Sequence, residues 1–439
     1  MLLYSSSVTK RLTYIAAVLF KAIRVEQFEI TTDRQNYIAF EGVKINYSKA
    51  AISENEVWIA PVPLLFEEDI KPKTIEIFLW REKAAFFKSP GKDCPFDIFA
   101  ASFYLLTRYE EYLPHSLDFY GRYAHENSIA FKEGFLQLPL VNIWLKEFIQ
   151  ILQQAFHPLR LKSSAFAYLP TYDIDIAWSY LNKGLFRNAG GFIRSLVKGE
   201  WQIAKERMRV LQQKQKDPFE SYAWLYELHK TYNLQPLYFF LLADKNKWYD
   251  KNISPANINY QQLIKRHAQT YPIGIHPSWQ SSDDNKLLAR EIRSLESICG
   301  KQISKSRQHY IRMKLPDTYR FLIEAGISED YSMGYGSING FRASYCLPYR
   351  WFDLRQNIVT SLSVYPFCYM EANSFYEQKY SANQALEELE HYYEVTKSVN
   401  GLLITIWHNN FLGTDKMFSG WKKVYEEFIR RHFYNNATL

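Results

Sequence analysis

The chain has 439 residues, enough for two or three domains of ordinary size and a sizeable buried core. Hydrophobic residues make up 47% and charged residues 23%, with only 17 Gly and 17 Pro, which excludes a disordered or collagen-like polymer. The formal net charge of +7 is taken as spread over the chain without a long basic block, so nucleic acid is not an expected partner.

Near the start, Lys10 and Arg11 precede an apolar run, Leu12 to Phe20, that superficially resembles a signal-peptide core. Leu12, Ile15, Ala16, Leu19, Phe20 and Ile23 nevertheless fall on one helical stripe, Thr9 is placed to cap it, and Lys21 to Arg24 contain no small-x-small cleavage site. A docked first helix and a cytoplasmic protein are expected. No apolar run reaches the ~18 residues a membrane span needs, and Cys94, Cys299, Cys346 and Cys368, without C-x-x-C spacing, read as buried thiols of a reducing compartment.

Residues 1–160 mix short strand-like runs (Gln27 to Thr31, Val43 to Tyr47, Val57 to Ala60) with helical stretches, and predict a smaller α+β N-terminal domain. Its densest aromatic segment, residues 96–123, has Phe96, Phe99, Ala100, Phe103 and Leu106 at helical spacing before Pro114. Nothing in it predicts chemistry; packing against the second domain, as a roof over its mouth, is the expected role.

Across residues 161–439 the pattern changes to strands alternating with helices, the rhythm of a parallel α/β sheet or barrel. Strands are predicted at Ala165 to Thr171, Leu237 to Leu242, Pro272 to Ile275, Gln302 to Arg307, Gly340 to Ala343, Ile358 to Tyr369 and Leu402 to Ile406. Helices are predicted at Phe219 to Thr231, Lys286 to Ile298, Pro316 to Ala325 and Asn383 to Ser398, with a basic inserted surface helix in Phe192 to Lys216. The predicted fold class is therefore α/β, a distorted (β/α) barrel of about seven strands following the smaller domain.

Several of these strands run into residues able to do chemistry. Asp173 and Asp175 end the first, His276 the third, His309 follows the fourth, Arg342 lies in the fifth and His408 follows the last. Each has an ordinary structural reading by itself, as a cap, a satisfied polar group or an ion pair. In a barrel the C-terminal strand ends converge on one face, and together these groups predict a site. Two His and one carboxylate form a three-ligand set for a catalytic divalent cation; imidazole and carboxylate suit Zn²⁺, with Co²⁺, Mn²⁺ or Fe²⁺ compatible. The second carboxylate is then free as a general base and the third His as an acid, an assembly suited to hydrolysing an amide or ester.

At these residues the chain resembles the NodB-homology polysaccharide deacetylases, carbohydrate esterase family 4. Thr171-Tyr172-Asp173-Ile174-Asp175 is similar to that family's first motif, which implies Asp173 as base and Asp175 as metal ligand. Ile275-His276-Pro277-Ser278 resembles the start of the second, implying His276 as ligand; Gln280 stands where the family has a further His, and His309, one strand-helix unit later, is taken as the replacement. Phe341-Arg342-Ala343 resembles the third motif, implying that Arg342 orients the base, and Ile406-Trp407-His408 the last, implying His408 as acid. Trp407, Tyr349, Tyr172 and Glu371 are carried as substrate-binding candidates, Glu371 with Arg342 or His408 as its partner. The resemblance implies hydrolytic removal of N-acetyl or O-acetyl groups from an N-acetylated saccharide or glycan precursor. Two rivals stay open: a metal-free deacetylase-like scaffold that binds carbohydrate or a protein, and a glycoside hydrolase using paired carboxylates.

Overall fold

A computed structural model describes residues 1–91, 93–161, 164–244 and 249–434. The chain opens with a four-stranded parallel sheet of β1 (Leu2–Ser5), β2 (Glu29–Thr31), β3 (Lys44–Tyr47) and β4 (Val57–Trp58), ordered β2-β1-β3-β4. The first helix, Lys10–Ala22, is capped by Thr9, whose hydroxyl accepts from Leu12 N at 3.1 Å, and it buries the Leu12, Ile15, Ala16, Leu19, Phe20 stripe. A hairpin of β5 (Phe78–Trp80) and β6 (Lys83–Ala85) follows. Every residue of the helix Ile98–Leu106 is buried, so the aromatic segment packs the core; the helix Leu140–Ala155 completes this part.

Among the described residues the larger sheet holds nine strands: β7 (Ala167–Ile174), β8 (Leu237–Leu241), β9 (Ile273–His276), β10 (Lys305–Ser306), β11 (Glu329–Asp330), β12 (Tyr349–Asp353), β13 (Ile358–Val364), β14 (Tyr369–Met370) and β15 (Leu402–His408). They are ordered β12-β13-β11-β10-β9-β8-β7-β15-β14. All neighbours are parallel except β12 and β13, and helices at Tyr222–Thr231, Asn285–Cys299, Asp317–Glu324 and Ala382–Ser398 alternate with the strands as the sequence predicts.

Three features differ from the sequence-based expectation. Gly340 to Ala343 is a turn, because Gly340 and Ser344 take φ of +147° and +50° and Phe341 N donates outside the sheet, to Leu136 O at 2.8 Å. The two-residue β11 is too short to carry a periodic signal. The ladder is also open: among the described residues no pairing closes it. Its two arms are joined by the chain itself, since only residues 365–368 separate β13 from β14; Tyr365 N donates to Asp330 O at 2.8 Å and Cys368 N to Ile404 O at 3.4 Å.

The curled sheet encloses a small apolar cluster drawn from both arms, with Phe239, Tyr331, Phe367 and Ile404 among its members. A second core, between the sheet and its helices, runs without a break into the N-terminal part. Polar ties reinforce that junction: Tyr14 donates to Arg350 O at 2.7 Å and Cys346 N to Asn142 Oδ1 at 3.0 Å. All four cysteines are free; Cys94, Cys346 and Cys368 are buried and Cys299 is only partly so.

Candidate active site

Side chains alternate along a strand, so β7 sends Thr171 and Asp173 to one face and Tyr172 and Ile174 to the other. β15 lies in register beside it, His408 opposite Asp173 and Trp407 opposite Tyr172. Asp175, just past β7, extends the inward series. Further round the sheet, Gly274 is opposite Phe239, and a Cβ at Gly274 would lie 2.5 Å from that ring. The missing side chain leaves Phe239 room to sit beneath Arg307, whose guanidinium carbon is 4.5 Å from the ring centroid.

Asp175, His276 and His309 offer one ligand atom each, all within 4.8 Å of one another. Nε2 of His276 is 3.2 Å from Asp175 Oδ1, and Nε2 of His309 is 3.5 Å from Oδ2. The other ring nitrogens are engaged behind: Nδ1 of His276 with Arg307 O at 2.5 Å, Nδ1 of His309 with Asp250 Oδ1 at 3.0 Å. A carbonyl or carboxylate on Nδ1 fixes the tautomer in which Nε2 carries a lone pair. Two such lone pairs then face a carboxylate whose buried Oδ1 has no hydrogen-bond donor. Donor atoms meeting without a donated proton between them suit a divalent cation, so these residues fit the implied metal.

The close approach also couples the charges of these groups, so a cation at these nitrogens would displace a proton from His309. Burial opposes ionisation of Asp175, but His309, His276 and His408 outweigh it and hold its carboxyl well below the usual range. Burial likewise disfavours a charged His309, yet Asp175 and Asp250 raise it to about 9.

His408 stands across the site, Nε2 3.6 Å from Asp175 Oδ2. Glu371 Oε1 accepts from its backbone N at 2.6 Å and faces Nδ1 at 2.8 Å, so Glu371 partners His408 rather than Arg342. Burial lowers His408, but Glu371 and then Asp175 reverse the sign and push it up to about 10.

The expectation that Arg342 orients Asp173 is corrected. Arg342 forms a two-pronged pair with Glu111 at 2.6 and 2.8 Å, and its remaining arm donates to Gly334 O at 3.1 Å. Arg307 occupies the expected place instead, donating to Asp173 Oδ1 at 2.9 Å and Thr171 Oγ1 at 2.7 Å. Three aromatic candidates also face elsewhere. Tyr172 contacts His229 and Tyr425 on the outer face, Trp407 packs on Tyr425 and Tyr369, and Tyr349 is buried against Tyr345.

The site opens into a cavity of about 660 Å³ lined by Asp173, Asp175, His276, His309 and His408. Its aromatic wall is Tyr120, Tyr249, Tyr310, Tyr376 and Phe411, none of them among the substrate-binding candidates drawn from the sequence. Tyr120 and Arg122 come from the N-terminal part. Arg122 donates to Tyr310 O at 2.8 Å, in the space a Cβ at Gly336 would fill. Tyr310 and Ile311 both have positive φ, +59° and +54°, a costly conformation, above all for β-branched Ile311, that forms the turn immediately after His309. Asp250, Arg307 and Arg122 escape sequence reasoning: Asp250 lies in a loop, Arg307 in a strand-like run, and Arg122 meets Tyr310 across 188 residues.

A model for a family of unknown function, DUF7033, matches residues 1–157. No curated protein matches. Among solved structures, the chain is similar to a Mycobacterium smegmatis protein classed as a polysaccharide deacetylase, at 14% identity and TM-score 0.38, covering 62% of this chain and 86% of that one. A polysaccharide deacetylase from Bacillus cereus matches at 11% identity and TM-score 0.31, covering 61% and 88%. A GH57 branching enzyme from Thermococcus kodakaraensis matches at 9% and TM-score 0.34, covering 61% and 69%. Likenesses at this level assign no activity to the chain, which has a mixed α/β fold, parallel sheets and an Asp/His/His cluster.

Proposed function

We propose that the chain is a metal-dependent hydrolase that removes acetyl groups, N-linked in the first instance, from a saccharide. In this reading residues 161–439 form a distorted, NodB-like barrel and residues 1–160 an α+β unit that shares its core and supplies one wall of the cavity. The observation that carries it is the Asp175, His276 and His309 cluster, with both Nδ1 atoms engaged behind and both Nε2 atoms turned to one carboxylate.

A divalent cation held by these three residues supplies a Lewis acid for an acyl oxygen and lowers the pKa of water. Asp173 is the base: Arg307 holds Oδ1, leaving Oδ2 to take a proton from water in the cavity. His408, kept charged and oriented by Glu371, gives the proton at Nε2 to the departing nitrogen. Tyr120, Tyr249 and Tyr310 offer ring faces to sugar.

Acetate release from N-acetylated oligosaccharides by the metal-loaded protein tests the reading, with Asp173→Asn expected to lose at least about a hundredfold in kcat. Acetate release undiminished in Asp173→Asn would overturn the base. Reducing ends released without acetate would favour the glycoside hydrolase, and saccharide binding without turnover or bound metal the inactive scaffold.

A further inference from the structure

The net charge of +7 is not spread over the chain. Residues 182–216 hold nine Lys and Arg against two Glu, an excess of seven, and the other 404 residues hold 44 basic and 44 acidic groups. This segment forms two antiparallel helices, Gly184–Val197 and Trp201–Leu211, inserted between β7 and β8.

The first helix of the hairpin is amphipathic in the inverted sense for a helix docked on a protein, while the second buries Ala204 and Val210. In its first helix the buried residues are Asn188 and Ser195, both polar, while Leu185, Phe186 and Val197 are 88%, 95% and 82% exposed. Asn188 is held inward by its bond to Tyr180 O at 2.9 Å and by Arg207, which donates to it at 3.0 Å. Ile193 and Trp201 extend the outward apolar surface, and Trp201 is 67% exposed. Arg187, Arg194, Lys198, Lys205 and Arg209 are exposed among them.

The base of the hairpin is clamped to the loop that follows Asp175. The buried Asp217 carboxylate accepts from the backbone N of Ser179, Tyr180 and Leu181 at 2.7, 2.8 and 3.0 Å, closing the loop that leaves Asp175. The apolar and basic surface therefore stands at the sheet end that carries Asp173 and Asp175.

We infer that this hairpin is an interfacial anchor for a bilayer containing anionic lipid. Exposed aliphatic and aromatic side chains interleaved with Lys and Arg match an acyl-chain boundary beneath anionic headgroups. Nucleic acid would match the charge but gives Leu185, Ile193 and Val197 nothing to contact. No helix among the described residues is long and apolar enough to cross a membrane, so the hairpin lies on the surface. If the deacetylase reading holds, the anchor sets the cavity beside saccharides displayed on or carried by that membrane; the anchor itself does not depend on that reading.

Co-sedimentation of the whole protein with phosphatidylcholine vesicles, with and without about 30% phosphatidylglycerol, tests the inference. Binding is expected to be at least about tenfold tighter with the anionic lipid and to weaken with salt. The double variant Phe186→Asp, Trp201→Asp changes only exposed positions and is expected to lose at least about tenfold more. Absence of vesicle binding, or binding unchanged in the double variant, overturns the inference. So does RNA binding or self-association that the double variant abolishes while vesicles are not bound. Neither metal nor acetate enters this readout, so failure of the proposed activity would leave it standing.

Discussion

Asp250 Oδ1 lies 3.0 Å from Nδ1 of His309 and thereby decides which ring nitrogen His309 presents to Asp175. The same carboxylate oxygen accepts from Trp279 N at 2.8 Å and Oδ2 from the Gln280 amide at 3.1 Å, so it is itself held from two sides. Without Asp250, His309 keeps its place but loses the partner that fixes its tautomer. Asp250→Ala is expected to weaken divalent-metal affinity by about 10- to 100-fold with the fold retained, measured by competition with a chromophoric chelator and by circular dichroism. Unchanged affinity would remove Asp250 from the centre.

Arg307, rather than Arg342, is expected to govern the base. Arg307→Met leaves Asp173 without its 2.9 Å partner, and kcat for acetate release should fall by at least about a hundredfold while bound metal stays stoichiometric. A thermal melt separates this from unfolding, since Arg307 is wholly buried. Wild-type kcat in a folded Arg307→Met protein would contradict the assignment.

Glu111 and Arg342 make a stability prediction instead. Burial raises the Glu111 carboxyl, but Arg342 and Arg108 outweigh it and bring it down to about 2. A depressed acid stabilises the fold fully above its unfolded value near 4.5 and loses that contribution as pH falls toward 2. The pair should therefore contribute about 3 kcal/mol at neutral pH that disappears across this window. Glu111→Gln, which leaves the buried Arg342 without a carboxylate and Arg108 with Glu110 alone, should cost about 3–5 kcal/mol at pH 7 by denaturant titration and flatten the acid limb. An acid limb identical in both proteins would contradict the shift.

Tyr120 tests the reach of the N-terminal part into the cavity, where its ring centroid is 5.2 Å from that of Tyr310. Tyr120→Ala should raise KM for oligosaccharide about three- to tenfold with kcat nearly unchanged. A fall in kcat with KM unaltered would assign Tyr120 to the chemistry instead.

The part of the site that was legible in the sequence is the part marked by strand ends. Asp173, Asp175, His276 and His408 each stand where an apolar run meets a polar residue, a local signal. His309 follows a two-residue strand and precedes two left-handed residues, so spacing pointed to it while the turn that aims it was invisible. Arg307 stood beside His309 in plain view, but its pairing with Asp173 spans 134 residues. Arg342 and Glu111 are 231 residues apart, and no periodicity reports such a pair. Tyr172 and Trp407 were misread because proximity in sequence to a site residue means, on a strand, the opposite face. For the fold, parallel α/β alternation was readable, whereas strand count and closure depend on short ladders such as β10, β11 and β14.

The most direct test of the metal centre is stoichiometry by elemental analysis of purified, folded protein after equilibration with Zn²⁺ and dialysis. One ion per wild-type chain, falling to less than about a tenth of that in Asp175→Ala and in His309→Ala, is the predicted result. Full occupancy in His309→Ala, or none in the wild type, would contradict the three-ligand centre on which the proposed chemistry stands.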